Sequence, residues 1–267
     1  MNKSTLTMLA ALLAAPMYAQ VAPLGGFYYG QMPQPSGWEW QSPDSVAYNK
    51  QHPHAWFFSF ANTDEARRVL PENSSLWQTL DGEWQFHWAK HPDERPKDFF
   101  RTDFDASAWD RVQVPMNWNT AGMNDKGVFK YGYPLYSNQR VIFQHKVKVD
   151  DWRDGVMRTP PTDWMTYRNR NEVGSYRRAF SIPANWQDKE IYINFDGVDS
   201  FFYLYINGKY VGFSKNSRNL AQFDITPYLN KKGDNLVAVE VYRHSDGSFL
   251  ESQDMFRLPG IFRSVSL

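Results

Sequence analysis

Apolar and polar positions alternate along most of the chain from about residue 80 onward, and this period predicts strands. Trp84, Phe86 and Trp88 share one face after an Asp81-Gly82 turn. Val112 and Val114 alternate until Pro115 stops the run. Val141, Phe143, His145, Val147 and Val149 line one face of a longer segment. Strand-like runs follow at Tyr176 to Ile182, Ile191 to Phe195 and Phe201 to Ile206. Asn207-Gly208 is the strongest hairpin signal, because a type I′ turn needs positive φ at both central positions. Lys209 to Phe213 reads as the return strand. Pro227 suits the first turn of a short helix with Thr226 as its N-cap. Beyond the Lys232-Gly233-Asp234 turn, Val237, Val239 and Val241 share a face. Alternation resumes from Phe262 to Leu267, as at a strand and domain boundary.

Helical periods are scarce. Asp64 to Val69 reads as one short helix, with acids at its start and Arg67-Arg68 at its end to suit the dipole. Short strands separated by recurring turns predict an all-β chain, an antiparallel sandwich or jelly roll. Residues 150–174 interrupt the pattern with a polar excursion carrying Pro160-Pro161, Trp152, Trp164 and Tyr167.

The first sixty residues differ in kind. Lys3, an apolar run from Leu6 to Ala15, and Met17-Tyr18-Ala19 have the order of a secretory signal, too short to span a bilayer. Residues 20–37 are rich in Gly, Pro and Gln, and Trp38 to Phe60 reads as an aromatic strap on the domain surface. The expected organisation is a signal peptide over 1–19, a linker and irregular arm over 20–60, and a β-sandwich domain over 61–267. The expected location is periplasmic or secreted, with no membrane span.

Composition narrows the chemistry. The 267 residues hold 29 Lys+Arg and 29 Asp+Glu, so the net charge is zero. A polyanion binder shows a basic excess, which speaks against nucleic acid as a partner. With no Cys, thiol catalysis and cysteine metal sites are excluded. Aromatic residues make up 17%, a load that fills sandwich cores and also stacks on sugar rings.

No nucleophile elbow, P-loop or dinucleotide fingerprint is present. His244-Ser245-Asp246 holds triad residue types, but adjacent residues cannot form the relay, and Gly247 makes the segment a turn. His52-Pro53-His54 has no third ligand nearby in sequence. Residues 245–263 stand out because they gather Asp246, Glu251, Asp254, Arg257 and Arg263 between two strands. Such a loop can offer a carboxylate to a ligand or ion, or hold internal salt bridges.

That stretch resembles the sugar-binding domain of glycoside hydrolase family 2, and in particular that of large bacterial β-galactosidases. Ordered blocks carry the resemblance across about residues 38–267. They include Leu80-Asp81-Gly82-Glu83-Trp84, Val114-Pro115-Met116-Asn117-Trp118, Tyr133-Pro134-Leu135-Tyr136-Ser137-Asn138, Phe195-Asp196-Gly197-Val198-Asp199-Ser200 and Tyr205-Ile206-Asn207-Gly208. The galactosidase subtype rests on Ser245 to Arg257.

The resemblance implies a galactose-binding-domain-like jelly roll in an enzyme that hydrolyses terminal β-galactosides in carbohydrate catabolism. Two glutamates on a following (β/α)8 barrel would do the chemistry, with retention. A barrel needs about 250 residues, and the strand-rich region uses nearly all the chain after the signal, so no residue here stands for either glutamate. Glu251 is not promoted to one. The resemblance does assign Asp254 as a sodium ligand that contacts galactose, and Asn138 as a reach into the sugar pocket. Some relatives hold a peripheral magnesium through an aspartate matching Asp246; Glu39 and Ser42, at the positions of its other partners, depart from the family's pattern. The expected partners are galactose or a β-galactoside, the catalytic barrel and, in the full-length enzyme, further copies of itself. The alternative is a free-standing carbohydrate-binding module.

Overall fold

The computed structural model describes residues 27–28, 34–43, 45–137, 171–251 and 254–267. The signal segment, Asn138, the strand expected over 141–149 and the excursion up to residue 170 lie outside the described residues.

Among the described residues an eight-stranded sheet dominates. In chain order its strands are β1 (Phe27–Tyr28), β2 (Ala47–Tyr48), β3 (Gly82–Ala89), β4 (Asp110–Val114), β6 (Val173–Phe180), β9 (Phe201–Ile206), β10 (Lys209–Ser214) and β12 (Asn235–Tyr242). Across the sheet they run β1-β2-β10-β9-β12-β6-β3-β4. All neighbours are antiparallel except β1 and β2. A second sheet of three strands, ordered β11-β7-β15, comprises β7 (Tyr192–Phe195), β11 (Ala221–Asp224) and β15 (Val265–Ser266). Two ribbons complete the fold: β5 (Leu135–Ser137) with β13 (Met255–Arg257), and β8 (Val198–Asp199) with β14 (Gly260–Ile261). This is the expected all-β sandwich with non-sequential strand neighbours.

The main core lies between the two sheets. Trp84, Phe86, Phe202, Leu204, Val237, Val239 and Val241 on the large sheet meet Ile193, Phe195, Phe223 and Val265 on the small one. Complete burial of β9 shows why the aromatic load is high. Phe202, Leu204 and Ile206 enter this core, and the alternate residues Phe201, Tyr203 and Tyr205 enter a second core on the opposite face. Strand residues point alternately to the two faces, so a strand covered on both sides loses its polar positions.

The second core contains Trp40, Tyr48 and Phe99, so the arm covers the outer face of the large sheet. Residues 38–50 therefore go beyond a surface strap: Ala47 and Tyr48 form β2 against β10, and Lys50 is buried. Local expectations hold closely at the Asn207-Gly208 turn, where φ is 51° and 78°. Two differ. The short helix α1 covers only Thr63–Ala66, capped by Asn62, whose side chain accepts from the Glu65 amide at 2.9 Å. Thr226 begins the short 3-10 turn as its first residue and is not its cap. Its hydroxyl instead accepts from the Ile191 amide at 2.7 Å, tying the turn to the start of β7.

Candidate functional site

The motif after β12 folds as a turn into a short helix, α2 (Gly247–Leu250), followed by β13. A buried ionic cluster fixes this segment. Arg243, just past β12, pairs with Glu172 at 2.7 Å, and both side chains are almost fully buried. The Trp88 and Trp118 ring N–H groups also donate to the Glu172 carboxylate, at 3.4 and 3.3 Å. From that anchor the Arg243 guanidinium donates to the Tyr133 carbonyl at 2.7 Å and the Arg257 carbonyl at 3.4 Å. It thus ties the end of β13 to the segment leading into β5. A buried pair that satisfies several backbone groups is costly to break singly, about 3–5 kcal/mol.

The three acids of the motif part company here. Glu251 accepts from the Ser217 amide at 2.8 Å and its hydroxyl at 2.6 Å, so it clamps the loop. Asp246 is mostly buried, and its carboxylate lies 2.7 Å from the Lys215 ammonium. Burial raises its pKa, against the pull of Lys215. Asp254 is exposed, directly before β13, and accepts a hydrogen bond from the Tyr136 hydroxyl. That bond to the carboxylate raises the Tyr136 pKa. Tyr136 sits opposite Phe256 in the ribbon, their ring centroids 5.3 Å apart. Tyr136 and Phe256 are at least half exposed, so the Asp254 carboxylate is bonded to one exposed ring that packs on another. Ser137, the residue before Asn138, pairs with Met255, the residue after Asp254.

Behind this surface, Asp199 is buried and its pKa is pushed up to about 7 by burial, although Arg218 stands 3.3 Å away. His244 is buried and held well below the usual histidine range, first by burial and then by Arg243 and Arg257. Its neighbour Ser245 is tied to Ser200, hydroxyl to hydroxyl at 2.8 Å, so the His244-Ser245-Asp246 run forms no catalytic relay. His54 lies elsewhere, 3.0 Å from Gln222. Among the described residues no group of three or more His, Asp or Glu could hold a metal.

The two implied cations differ in fit. At Asp254 the carboxylate and the Tyr136 phenol oxygen are hard donors exposed to solvent, of the kind a hard cation such as sodium takes. At Asp246 an ammonium already faces the carboxylate, and this set does not fit magnesium. Sequence reasoning missed Tyr136, Glu172, Arg243 and Lys215 as site-builders. Tyr136 stands within a quoted motif, but nothing in a period of two says which face meets an aspartate more than a hundred residues away.

Comparison with known proteins follows the same residues. The profile of glycosyl hydrolases family 2, sugar binding domain, matches residues 77–267. A β-galactosidase of Priestia megaterium is 39% identical over 230 residues, which cover 86% of this chain and 20% of the relative. The β-galactosidase large subunit of Lactobacillus helveticus is 38% identical over 205 residues, 75% of this chain and 31% of the relative. The chain thus spans about a fifth to a third of the curated relatives' length. The crystal structure of Bacteroides uniformis beta-glucuronidase aligns with 71% of this chain and 17% of its own, with 24% identity and a TM-score of 0.48.

Proposed function

The chain belongs to glycosyl hydrolase family 2, as its sugar-binding domain, and on that premise we propose that it serves a β-galactosidase-type hydrolase by walling the galactoside pocket. In this reading Asp254 and Asn138 contact the sugar, and Asp254 is a ligand of a sodium ion shared with a (β/α)8 barrel. The barrel supplies the acid/base and nucleophile, so the chain alone does not turn over substrate. The N-terminal signal order directs the protein to the periplasm or beyond.

One observation carries the reading. Of the three motif acids, Asp254 alone is exposed, and it stands directly before β13, bonded to the exposed Tyr136, whose ring packs on the exposed Phe256. Aromatic faces stack on pyranose rings, and a fixed carboxylate holds a hard cation or a sugar hydroxyl. The sodium, when bound, supplies positive charge that orients sugar hydroxyls. The role of the chain is to hold the carboxylate still.

The test is Asp254→Asn in the enzyme joined to its barrel. An amide keeps a neutral oxygen but removes the charge, so sodium activation and galactoside turnover should fall together. Asn138→Ala should cost less, about 0.5–1.5 kcal/mol for one neutral hydrogen bond. If Asp254 is an ordinary surface acid, its loss costs below about 1 kcal/mol and does not change the sodium response.

A further inference from the structure

Some relatives the chain resembles hold a peripheral magnesium through an aspartate matching Asp246, yet the residues around Asp246 here are arranged for a different cation. Lys215 follows the end of β10, and its side chain is only 4% exposed. Its ammonium lies 2.7 Å from the Asp246 carboxylate and donates to the Ser42 carbonyl at 2.5 Å. Its own amide donates to the Val46 carbonyl at 3.0 Å. One residue therefore binds the arm twice and the 245–251 loop once. The arm and loop also touch directly, through the Asp246 amide and the Trp40 carbonyl at 3.0 Å. Trp40 itself stacks on Tyr242 at 5.4 Å between centroids.

Glu39 is turned to other work. Its carboxylate accepts from the Ser36 amide at 2.7 Å and the Trp38 amide at 3.1 Å, and the buried Tyr203 hydroxyl donates to it at 2.5 Å. It closes the arm's own turn and pins that turn to β9.

We infer that Lys215 is a built-in cation, which docks the N-terminal arm onto the sandwich in place of a divalent metal. The charge argument is direct. One ammonium balances one buried carboxylate, and its three N–H donors suit a carboxylate and a carbonyl together. A magnesium ion needs six oxygens in near-octahedral array at about 2.0–2.1 Å. It could enter only by displacing the lysine into a buried position without a counter-charge, which is strongly unfavourable. The arm's docking is therefore independent of divalent ions in this protein.

Thermal unfolding of the purified chain in EDTA and in excess magnesium chloride tests this. The two midpoints should coincide, and a midpoint that climbs saturably with magnesium would overturn the inference. Lys215→Met leaves Asp246 buried and unpaired, and should lower the midpoint by an amount on the order of 10 °C. Limited proteolysis should then cut between residues 34 and 50 ahead of the sandwich. The double variant Lys215→Met with Asp246→Asn should recover part of the loss, since no lone charge remains. An unchanged midpoint and an intact arm in Lys215→Met would also sink the inference. Should that variant fail to fold, the magnesium titration of the unaltered chain still decides. No readout here involves sugar or turnover, so failure leaves the proposed function standing.

Discussion

Single residues in this chain are set by what surrounds their charge. Lys50 is the clearest case for measurement: it is 3% exposed, and its ammonium donates to the Ser214 hydroxyl at 3.3 Å. Burial pulls its pKa down to about 8 from 10.5. A lysine depressed in the folded state binds fewer protons there than in the unfolded chain between those two values. Stability should therefore rise as pH goes from about 8 to 10.5, and the penalty is fully present below 8. Lys50→Met should raise stability at pH 7 by about 1–3 kcal/mol, and the gain should shrink above pH 8. Denaturant unfolding of both proteins across that range checks it. A variant less stable than the parent at pH 7 would show that the ammonium is net favourable.

At the scale of elements, strands and hairpins were legible because their signal is local. The alternation at Trp84, Phe86 and Trp88, and the Asn207-Gly208 turn, each appear where the residues themselves dictate them. What stayed hidden is set by distant partners. Nothing in Ala47-Tyr48 alone says that it lies against β10, and Lys215 reads as an ordinary strand-end lysine. Asp254 is singled out by the motif it belongs to, whereas the buried Arg243–Glu172 pair joins residues 71 apart in sequence. Gly212 exposes the same logic in reverse. A Cβ added there would lie 2.2 Å from the Tyr48 carbonyl oxygen, which is backbone and cannot swing away. Gly212→Ala should push β2 off β10, at a cost of about 1–3 kcal/mol. Hydrogen exchange should quicken at residues 47–50 while β9 and β12 keep their protection. Unchanged exchange at the arm would mean that β2 adjusts without leaving.

At the scale of the whole fold, the described residues form a two-sheet sandwich whose larger sheet is covered on both faces, by the smaller sheet and by the arm with residues 99–109. Under the proposed function such a sandwich would serve as the base of a pocket wall, holding groups in place for a reaction run on another domain. Among its motif acids, Glu251 and Asp246 are engaged within the fold, and Asp254 faces out. The most direct measurement is the rate at which the purified chain alone hydrolyses a chromogenic β-galactoside in sodium buffer. The account predicts a rate equal to that of buffer without protein, because retaining hydrolysis needs an acid and a nucleophile about 5–5.5 Å apart and this domain is proposed to supply neither. Steady turnover by the chain alone, abolished by replacing Glu251 or Asp254, would contradict it.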